Sequence, residues 1–268
     1  MSKLLVKSQI PDQDGKILDI TPENAGWEYV GFQVYKLEEG DSLEKQTGEQ
    51  EVCLVLLSGK ANVSTTNEEF LNIGERMSVF EEIPPYSVYV PNDDKYTIKA
   101  LTLLKIAVCA APGKGTYKAR LISPEDVKQS DRGSGKMSRR IHDILPEDKD
   151  ADSLLVVEVY TPEGNTSSYP PHKHDKDNLP HESYLEETYY HEINPNQGFA
   201  FQRVYNDDRS LDETMTVEHE SVVLVPEGYH PFTAVPGYDC YYLNVMAGPK
   251  RTWKFNNEKD HEWLFEGI

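Results

Sequence analysis

The chain has 268 residues, of which 38% are hydrophobic and 10% aromatic, enough to pack one large or two ordinary globular domains. Its 27 Lys and Arg residues stand against 46 Asp and Glu residues, so the formal net charge is -19. That charge argues against a nucleic acid or an anionic membrane as partner, whereas a local cation cluster or a metal ion can still attract a small anion.

The beginning of the chain, MSKLLVKSQIPDQDG, has no signal-peptide core. No apolar window approaches the roughly 18 residues that a membrane-spanning helix needs. The cysteines Cys53, Cys109 and Cys240 are far apart and form no CxxC motif, as expected for buried reduced thiols. These features predict a cytoplasmic protein.

Short runs of alternating or β-branched residues, most of them bounded by Gly, Pro, Asn or Asp, predict β-strands along the whole chain. In chain order they are GFQVYKL (31–37), EVCLVLLSG (51–59), MSVFEEI (77–83), YSVYVP (86–91), YTIKALTLLKIAVCA (96–110), SLLVVEVY (153–160), FAFQRVY (199–205), SVVLVP (221–226) and DCYYLNVMAG (239–248). Helical periodicity is weak, with one helix start at SPEDVKQ (123–129) and a short candidate at RRIHDIL (139–145). The pattern indicates an all-β fold, either a sandwich or a barrel.

Residues 112–152 are rich in charge, Gly and Ser, and they predict a connector between domains 1–111 and 153–268. The connector contains a basic cluster at Lys136, Arg139 and Arg140 in an otherwise acidic chain.

The two halves repeat a pattern that indicates a divergent duplication. Aligning the dipeptides Val90-Pro91 and Val225-Pro226 places His230 opposite Lys95.

All eight histidines lie from His142 onward, so any histidine-ligated metal belongs to the C-terminal half. The stretch SYPPHKHD places His172 and His174 two residues apart, and on a strand both rings would point to one face. Neutral imidazole is a common ligand of divalent metals. Taken alone, the HxH pattern fits two solvated histidines in a proline-rich turn equally well.

Two distant residues can complete a set of three nitrogens and one oxygen. Glu187 begins the strand-like ETYYH, and His230 follows the turn VPEGY. The rival ligands lie between His174 and this strand, and they are His181, Glu182 and Glu186. Glu186 would face the opposite side of a regular strand from Glu187. Four other histidines are interpreted either as surface residues or as residues that contact the ligands without binding the metal. They are His181, His191, His219 and His261.

This order of ligands resembles the cupin metal-binding pattern. The stretches PPHKHD, EETYYH, FQRVY, VLVPEGYHP and PGYDCYYLNVMAGP are similar to the 5-deoxy-glucuronate isomerase family of inositol catabolism, and more distantly to 5-keto-4-deoxyuronate isomerase. The resemblance covers most of the chain. It implies a bicupin of two jelly-roll domains, a metal-free N-terminal barrel, and one divalent ion, zinc or manganese, in the C-terminal barrel. It also implies a homo-oligomer.

The resemblance further implies an intramolecular oxidoreductase that converts 5-deoxy-D-glucuronate to 5-dehydro-2-deoxy-D-gluconate, with a small anionic sugar acid as its partner. An isomerisation of this kind needs a Lewis acid for the developing enediol charge and a base near the carbon. The candidate catalytic residues lie on or beside the ligand-bearing strands, although each tyrosine fits simple packing equally well; they are Tyr190, Arg203, Tyr205 and Tyr242. Candidates for the base are Asp207, Asp208 and Glu227.

An arginine is expected to bind the substrate carboxylate, because a guanidinium can form two parallel hydrogen bonds with it. Arg203 is one candidate, and the pair Arg139 and Arg140 is the other, unless these belong to a solvated loop. Tyr229 is a further candidate for substrate binding.

Two other functions remain open. A non-haem metal dioxygenase can use the same four ligands, but it needs oxygen and a redox-active metal. A non-catalytic sugar-binding bicupin would have the fold without turnover.

Overall fold

The computed structural model describes residues 2–267, which form two compact units. The N-terminal unit comprises residues 8–128 and 143–156, and the C-terminal unit comprises residues 2–7, 129–142 and 157–267. Residues 112–152, which composition marks as a connector, therefore contribute to both units.

The strands of the first part of the chain are β1 (Leu5–Lys7), β2 (Lys16–Ile20), β3 (Gly31–Leu37), β4 (Ser42–Gln46), β5 (Gln50–Ser58), β6 (Ala61–Thr65), β7 (Glu69–Ile73), β8 (Ser87–Val90), β9 (Lys95–Ala100), β10 (Leu104–Pro112), β11 (Arg120–Ile122) and β12 (Lys128–Arg132). Those of the second part are β13 (Arg139–Leu145), β14 (Leu155–Thr161), β15 (Thr166–Ser167), β16 (His172–Lys173), β17 (Asp175–Asn178), β18 (Glu182–Tyr184), β19 (Glu186–Asn194), β20 (Phe199–Tyr205), β21 (Asp212–Glu218), β22 (Ser221–Val225), β23 (Phe232–Ala234), β24 (Asp239–Ala247) and β25 (Asn256–Asn257). The helical segments are α1 (Pro22–Ala25) and the 3-10 turns Val79–Glu81, Pro124–Asp126, Gly135–Met137 and Lys259–Gly267.

Each unit contains a large and a small antiparallel sheet. In the N-terminal unit the large sheet has the order β11-β8-β5-β10-β3-β2 and the small one β4-β9-β6-β7. In the C-terminal unit the corresponding orders are β1-β22-β19-β24-β14-β13-β12 and β15-β23-β20-β21. The run β8-β5-β10-β3 thus recurs as β22-β19-β24-β14, and the two units repeat one topology, as the echo between the halves of the sequence predicts.

Alternation of side chains fills the interior of each unit. The alternate residues of β5 that include Leu54 and Leu56 pack with Ile98 of β9 and Ile106 of β10 in one apolar cluster of the N-terminal unit. In the C-terminal unit the equivalent positions of β19 carry polar groups instead, and this difference creates the site described below.

The pairing register corrects the expected match between His230 and Lys95. Ala100 pairs with Ala61, and in the other unit Ala234 pairs with Ala200. Four residues before these alanines stand Tyr96 and His230, both buried, whereas Lys95 is exposed. The inward counterpart of His230 is therefore Tyr96, because five residues separate Tyr96 from Val90 at the end of β8, whereas four separate His230 from Val225 at the end of β22.

Three predicted elements differ from the structure. MSVFEEI forms a 3-10 turn rather than a strand, because the Ser78 hydroxyl accepts the Phe80 N–H and the Glu81 carboxylate accepts the Met77 N–H. RRIHDIL is the strand β13 rather than a helix, and its adjacent residues Ile141 and His142 are both buried, on opposite faces of the strand. SPEDVKQ begins as predicted at Ser123, but it ends after one 3-10 turn.

The cysteines are free and buried, as their spacing predicts. Cys53 of β5 and Cys109 of β10 are direct partners across the ladder. Between residues 2 and 267 there is no helix long and apolar enough to cross a membrane.

Candidate metal centre

Strand β19 sets one row of polar side chains into the interior of the C-terminal unit. Glu187, Tyr189 and His191 are alternate residues of this strand, and all three are buried. The same strand turns Tyr190 and Glu192 to the opposite face of the sheet, where the Tyr190 hydroxyl donates to Glu192 at 2.9 Å. The alternation of side chains between the two faces of β19 therefore determines which of its residues can contact a ligand in the interior.

The HxH segment and the turn after β22 bring the histidines to the same place. His172 begins β16, which pairs with β25 through His172 and Asn257. The rings of His174 and His230 lie 5.1 Å apart between centroids. His174, Glu187 and His230 each offer a ligand atom, and these atoms lie within 4.8 Å of one another.

The hydrogen bonds of the two imidazoles leave their Nε2 atoms for a cation. Nδ1 of His174 donates to the Leu185 carbonyl at 3.0 Å, and Nδ1 of His230 donates to the Gly228 carbonyl at 2.8 Å. In neutral rings each Nε2 then carries a lone pair, and these atoms lie 3.1 and 3.3 Å from Oε2 of Glu187. The buried Nε2 of His230 has no hydrogen-bond partner. Three electron-pair donors facing each other in a buried space fit a divalent metal ion.

Burial sets the protonation of these histidines. It lowers the pKa of His230 to about 3, against an opposing effect of the Glu187 charge. Burial also lowers the pKa of His174, but the hydrogen bond and charge of Glu187 outweigh it and hold that pKa above the ordinary value. The three side chains are therefore coupled, because the Glu187 charge favours the protonated form of His174 while burial favours the neutral form of His230.

His172 lies beside the group of three rather than within it. Its ring centroid is 4.9 Å from that of His230 and 6.4 Å from that of His174. Burial and the neighbouring charges of His174 and Arg139 lower its pKa to about 3, so the ring is neutral at pH 7. On its other side it contacts Phe255, with 4.8 Å between ring centroids.

A cavity opens beside Glu187 and His172. One wall is apolar and comes from the last part of the described chain, through Trp253, Phe255 and Phe265. The other wall carries Tyr189 and Tyr242, among further residues.

The hydroxyl groups of this wall are ordered by two serines. Ser168 Oγ lies 2.9 Å from the Tyr189 hydroxyl, and the Tyr242 hydroxyl donates to Ser167 Oγ at 3.0 Å. Burial raises the pKa of Tyr189 well above its ordinary value, so the phenol keeps its proton at neutral pH. The cavity therefore presents two fixed, protonated phenols beside the metal ligands.

The basic connector supplies two arginines to the cavity, Arg132 and Arg139. Nη1 of Arg139 donates to the Met137 carbonyl at 3.0 Å, and neither arginine forms an ion pair within residues 2–267. Burial lowers the pKa of Arg139, and the Arg132 charge acts in the same direction. Gly133 has φ +75°, and a Cβ there would lie 2.2 Å from the Met137 oxygen and 2.7 Å from Arg139 Nη1. The turn that presents these arginines therefore requires glycine.

Both other arginines predicted to bind substrate lie away from the cavity. Arg203 forms two parallel hydrogen bonds with Asp212, both at 2.7 Å, because these residues are cross-strand neighbours at the edge of β20 and β21. Arg140 follows Arg139 directly on β13, so its side chain points to the opposite face of the strand. It pairs with exposed Asp131 at 3.2 Å. In the structure both guanidinium groups pair with a carboxylate of the protein, and neither lines the cavity beside Glu187.

Three predicted tyrosines also lie outside the cavity lining. Tyr190 faces the opposite side of β19. The Tyr205 hydroxyl donates to Glu258, and the Tyr229 hydroxyl donates to Asp207 at 3.0 Å. Of the four tyrosines considered, Tyr242 lines the cavity, and Tyr189, which was not selected, lines it as well.

The candidate bases and rival ligands are engaged elsewhere. Asp207 accepts Lys173, Asp208 accepts the Ser210 N–H, and Glu227 accepts Asn206. Among the rival ligands, Glu182 accepts the Asp175 N–H, His181 is exposed, and Glu186 faces away from Glu187.

The other histidines match their interpretation as surface histidines or histidines behind the ligands. His219 and His261 lie near the surface beside Glu220 and Glu258. His191 lies behind the ligands, where its Nε2 is 3.0 Å from Gln202 Oε1. Gln202 in turn donates to the His230 carbonyl at 3.3 Å, which helps to fix the His230 backbone.

A buried ion network holds the HxH segment against the His230 turn. The Lys173 ammonium donates to Asp175 at 2.8 Å and to Asp207 at 2.9 Å, with 2% of its side chain exposed. Asp175 also accepts the Gly228 N–H at 2.9 Å. Burial lowers the pKa of Lys173, but the carboxylate hydrogen bonds outweigh it and raise that pKa above its ordinary value.

Replacing Lys173 with methionine is expected to lower the free energy of unfolding by about 3 kcal/mol, because Asp175 remains buried without its cation. Lys176→Met is the matched control, since Lys176 reaches Asp207 from an exposed position. It should cost less than about 1 kcal/mol. Urea unfolding of both variants measures the difference, and equal losses would contradict this role of Lys173.

The fold and the site define a class: a cupin-like, all-β chain with a buried His-Glu-His group beside an arginine-lined cavity. The family profile of the KduI/IolB family matches residues 4–264. The chain belongs to the KduI/IolB family.

Similar proteins agree with this assignment. A protein of Geobacillus thermodenitrificans named 5-deoxy-glucuronate isomerase is 66% identical over 266 residues, 99% of this chain and 97% of that protein. The crystal structure of an IolB-like protein from Salmonella typhimurium has a TM-score of 0.95 at 53% identity and covers 98% of this chain and 99% of that one. An oxalate decarboxylase of Lactobacillus farciminis, at 13% identity and a TM-score of 0.69, covers 99% of this chain and 91% of its own and shares the fold alone.

Proposed function

We propose that the chain is an aldose-ketose isomerase that converts 5-deoxy-D-glucuronate to 5-dehydro-2-deoxy-D-gluconate in the catabolism of myo-inositol. The observation that carries the proposal is the buried group of His174, Glu187 and His230 beside a cavity with two arginines that have no carboxylate partner among the described residues. The name shared by close relatives supports the same reaction.

The metal-binding residues are His174, Glu187 and His230, with His172 as the fourth ligand from the cavity side. A zinc or manganese ion in this place supplies a Lewis acid for the substrate carbonyl and the neighbouring hydroxyl. The unpartnered Nε2 of His230 and the neutral state of His172 support this assignment.

The chain is proposed to be a bicupin, with a metal-free domain built mainly from 1–111 and a metal-binding domain built mainly from 153–268, while the segment 112–152 supplies strands to both. The repeated strand order supports two jelly-roll domains. Within the described residues, the single group of His, Cys, Asp or Glu side chains able to hold a metal lies in the C-terminal unit. One equivalent of ion per chain is therefore expected.

Arg132 and Arg139 bind the substrate carboxylate in this proposal. A substrate anion has to approach a chain of net charge -19, and these two guanidinium groups offset that field inside the cavity. Their position in the same cavity as Glu187 supports an orientation with the carboxylate at the arginines and the aldehyde end at the ligands.

The protons move within the substrate, so the reaction is balanced without a co-reactant. The hydrogen on C2 leaves as a proton and O1 gains a proton as the enediol forms. The O2 hydroxyl proton then leaves and C1 gains a proton, which gives the ketose. Tyr189 and Tyr242 are placed to donate hydrogen bonds to the oxygens on which charge develops. Their serine partners hold both phenols in fixed orientations.

Tyr189→Phe is expected to lower kcat by about 10²-fold, because it removes a proton donor inside the cavity and little else. Tyr190→Phe, one residue along the same strand, should leave kcat within about twofold while reducing stability by about 1 kcal/mol. Steady-state kinetics and urea unfolding of the two variants provide the comparison. A larger loss of kcat in Tyr190→Phe would contradict the assigned face of β19.

Proton NMR of the purified protein with 5-deoxy-D-glucuronate under anaerobic conditions tests the function. Conversion of the aldehyde signal to a hydroxymethyl ketone supports the isomerase. Turnover only after oxygen is admitted would support a dioxygenase. Line broadening of substrate without product would support a sugar-binding protein.

A further inference from the structure

The N-terminal unit contains a second cavity, in the same part of its fold as the metal centre. Val52 pairs with Val90 and Ala110, and in the C-terminal unit Glu187 pairs with Val225 and Met246. Since Val90 and Val225 are the last residues of equivalent strands, Val52 is the counterpart of Glu187. Val52 and Tyr96, the counterpart of His230, both line the second cavity.

The second cavity is lined by neutral hydrogen-bonding groups instead of metal ligands. Its polar lining includes Gln33, Tyr35, Gln50 and Tyr96. The Tyr35 hydroxyl donates to Gln33 at 2.9 Å, so these two side chains form a fixed edge. Histidine is absent from the first 141 residues, which excludes an imidazole-ligated metal here.

Two groups in this cavity have unused hydrogen-bonding capacity. Tyr96 is 3% exposed, and within the described chain its hydroxyl forms no hydrogen bond. The Gln50 carboxamide likewise lacks a partner in the part of the chain that the structure describes. Burial raises the pKa of Tyr96, which keeps the phenol protonated. The Tyr96 hydroxyl and the Gln50 carboxamide can therefore form hydrogen bonds with the hydroxyl groups of a ligand in the cavity.

The positive charges in the cavity lining are neutralised by neighbouring carboxylates. Lys16 and Lys45 belong to its lining, but each is paired with a carboxylate at 2.7 Å, with Asp19 and Asp14 respectively. The cavity therefore differs from the arginine-lined cavity of the C-terminal unit and gives no net attraction for an anion. Apolar groups such as Val52 provide a surface for the C–H face of a ring.

We infer that this cavity of the N-terminal unit binds a neutral polyhydroxylated ligand, such as an uncharged pyranoside, without a metal. Tyr96 and Gln50 supply the donors and acceptors for its hydroxyl groups. The site is separate from the catalytic one, so it can be tested in protein whose metal centre has been removed.

Binding of methyl β-D-glucopyranoside tests the inference, because this neutral glycoside has no free aldehyde and cannot be isomerised. Saturation-transfer NMR titrations of the whole protein are expected to give a Kd on the order of 1 mM to 10 mM. Tyr96→Phe and Gln50→Leu should each weaken binding about fivefold. Tyr86→Phe, in the same unit but outside the cavity lining, and His174→Ala should leave the Kd unchanged.

Methyl β-D-glucopyranosiduronate, which differs by one carboxylate, should bind to His174→Ala protein more weakly than the neutral glycoside. The inference is overturned if the neutral glycoside does not saturate below roughly 50 mM. It is also overturned if binding survives Tyr96→Phe and Gln50→Leu unchanged, or disappears in His174→Ala. Circular dichroism and urea unfolding of each variant establish that the protein tested is folded.

Discussion

A chain in which His174 and His230 are both replaced by alanine is expected to lose its bound ion and at least about 10³-fold in kcat/KM. The physical reason is that the double substitution removes both buried Nε2 donors of the group and leaves Glu187 with His172, the proposed fourth ligand. Two of four proposed ligands do not complete the coordination that a tightly bound divalent ion needs. The measurements are metal content after gel filtration and turnover of 5-deoxy-D-glucuronate.

The matched control replaces two other histidines, His181 and His261, which lie outside the cavity lining. This His181→Ala/His261→Ala protein should keep one equivalent of ion and normal turnover. If the His174→Ala/His230→Ala protein still carries one equivalent of ion, the assignment of the ligands is wrong.

The second large effect is expected for the double variant Arg132→Gln/Arg139→Gln. Each charge-assisted contact to the substrate carboxylate contributes about 1.5 to 3 kcal/mol, so the loss of both should lower kcat/KM by roughly 10² to 10⁴-fold. Metal content should remain unchanged, because neither arginine belongs to the group of ligands. Arg203→Gln and Arg140→Gln are the controls, since their guanidinium groups pair with Asp212 and Asp131.

A neutral substrate analogue separates charge recognition from general damage to the site. 5-Deoxy-D-glucose has a hydroxymethyl group in place of the carboxylate, so its slow turnover should be nearly the same in wild type and in the Arg132→Gln/Arg139→Gln variant. If Arg203→Gln lowers turnover of the uronate while the double variant does not, the carboxylate is bound elsewhere.

Part of the proposed ligand set could be predicted from the sequence, because the direction in which neighbouring side chains point along a strand depends only on their spacing. Residues that are two positions apart on an extended segment share a face. This rule relates His172 to His174, and it favours Glu187 over Glu186 as a ligand. The four ligand assignments remain a proposal, but three of those residues do converge in the structure. The same rule applied to β19 would also have selected Tyr189, which shares the face of Glu187, over Tyr190.

The arginines proposed to bind the substrate carboxylate could not be chosen in the same way. Whether a guanidinium is available to bind a substrate depends on its neighbours on the adjacent strand. Nothing in the sequence shows that Asp212 of β21 pairs with Tyr205 of β20, which places its carboxylate diagonally across from Arg203. In contrast, the glycine-rich RGSGK stretch looks like a solvated loop by composition. Its turn geometry, which requires Gly133, is what sets Arg139 beside the ligands.

The fold class was clear from the sequence, whereas the boundaries between units were not. Turn residues mark strands well, and the all-β assignment follows from them. The segment 112–152 contains β11, β12 and β13. Strand β11 joins β8 in the large sheet of the N-terminal unit, and β12 and β13 extend the large sheet of the C-terminal unit beside β14. Short polar edge strands such as β12 have little hydrophobic pattern to reveal them, so composition alone suggests a loop.

Titration of metal-depleted protein with zinc or manganese, with turnover of 5-deoxy-D-glucuronate followed by anaerobic proton NMR, tests the central claim most directly. The expected result is turnover that is absent without metal, rises in proportion to added ion and stops rising at one equivalent per chain. The His174→Ala/His230→Ala protein should stay inactive throughout the titration. Full turnover by the metal-depleted chain, or a plateau reached only at two equivalents, would contradict a single catalytic centre at His174, Glu187 and His230.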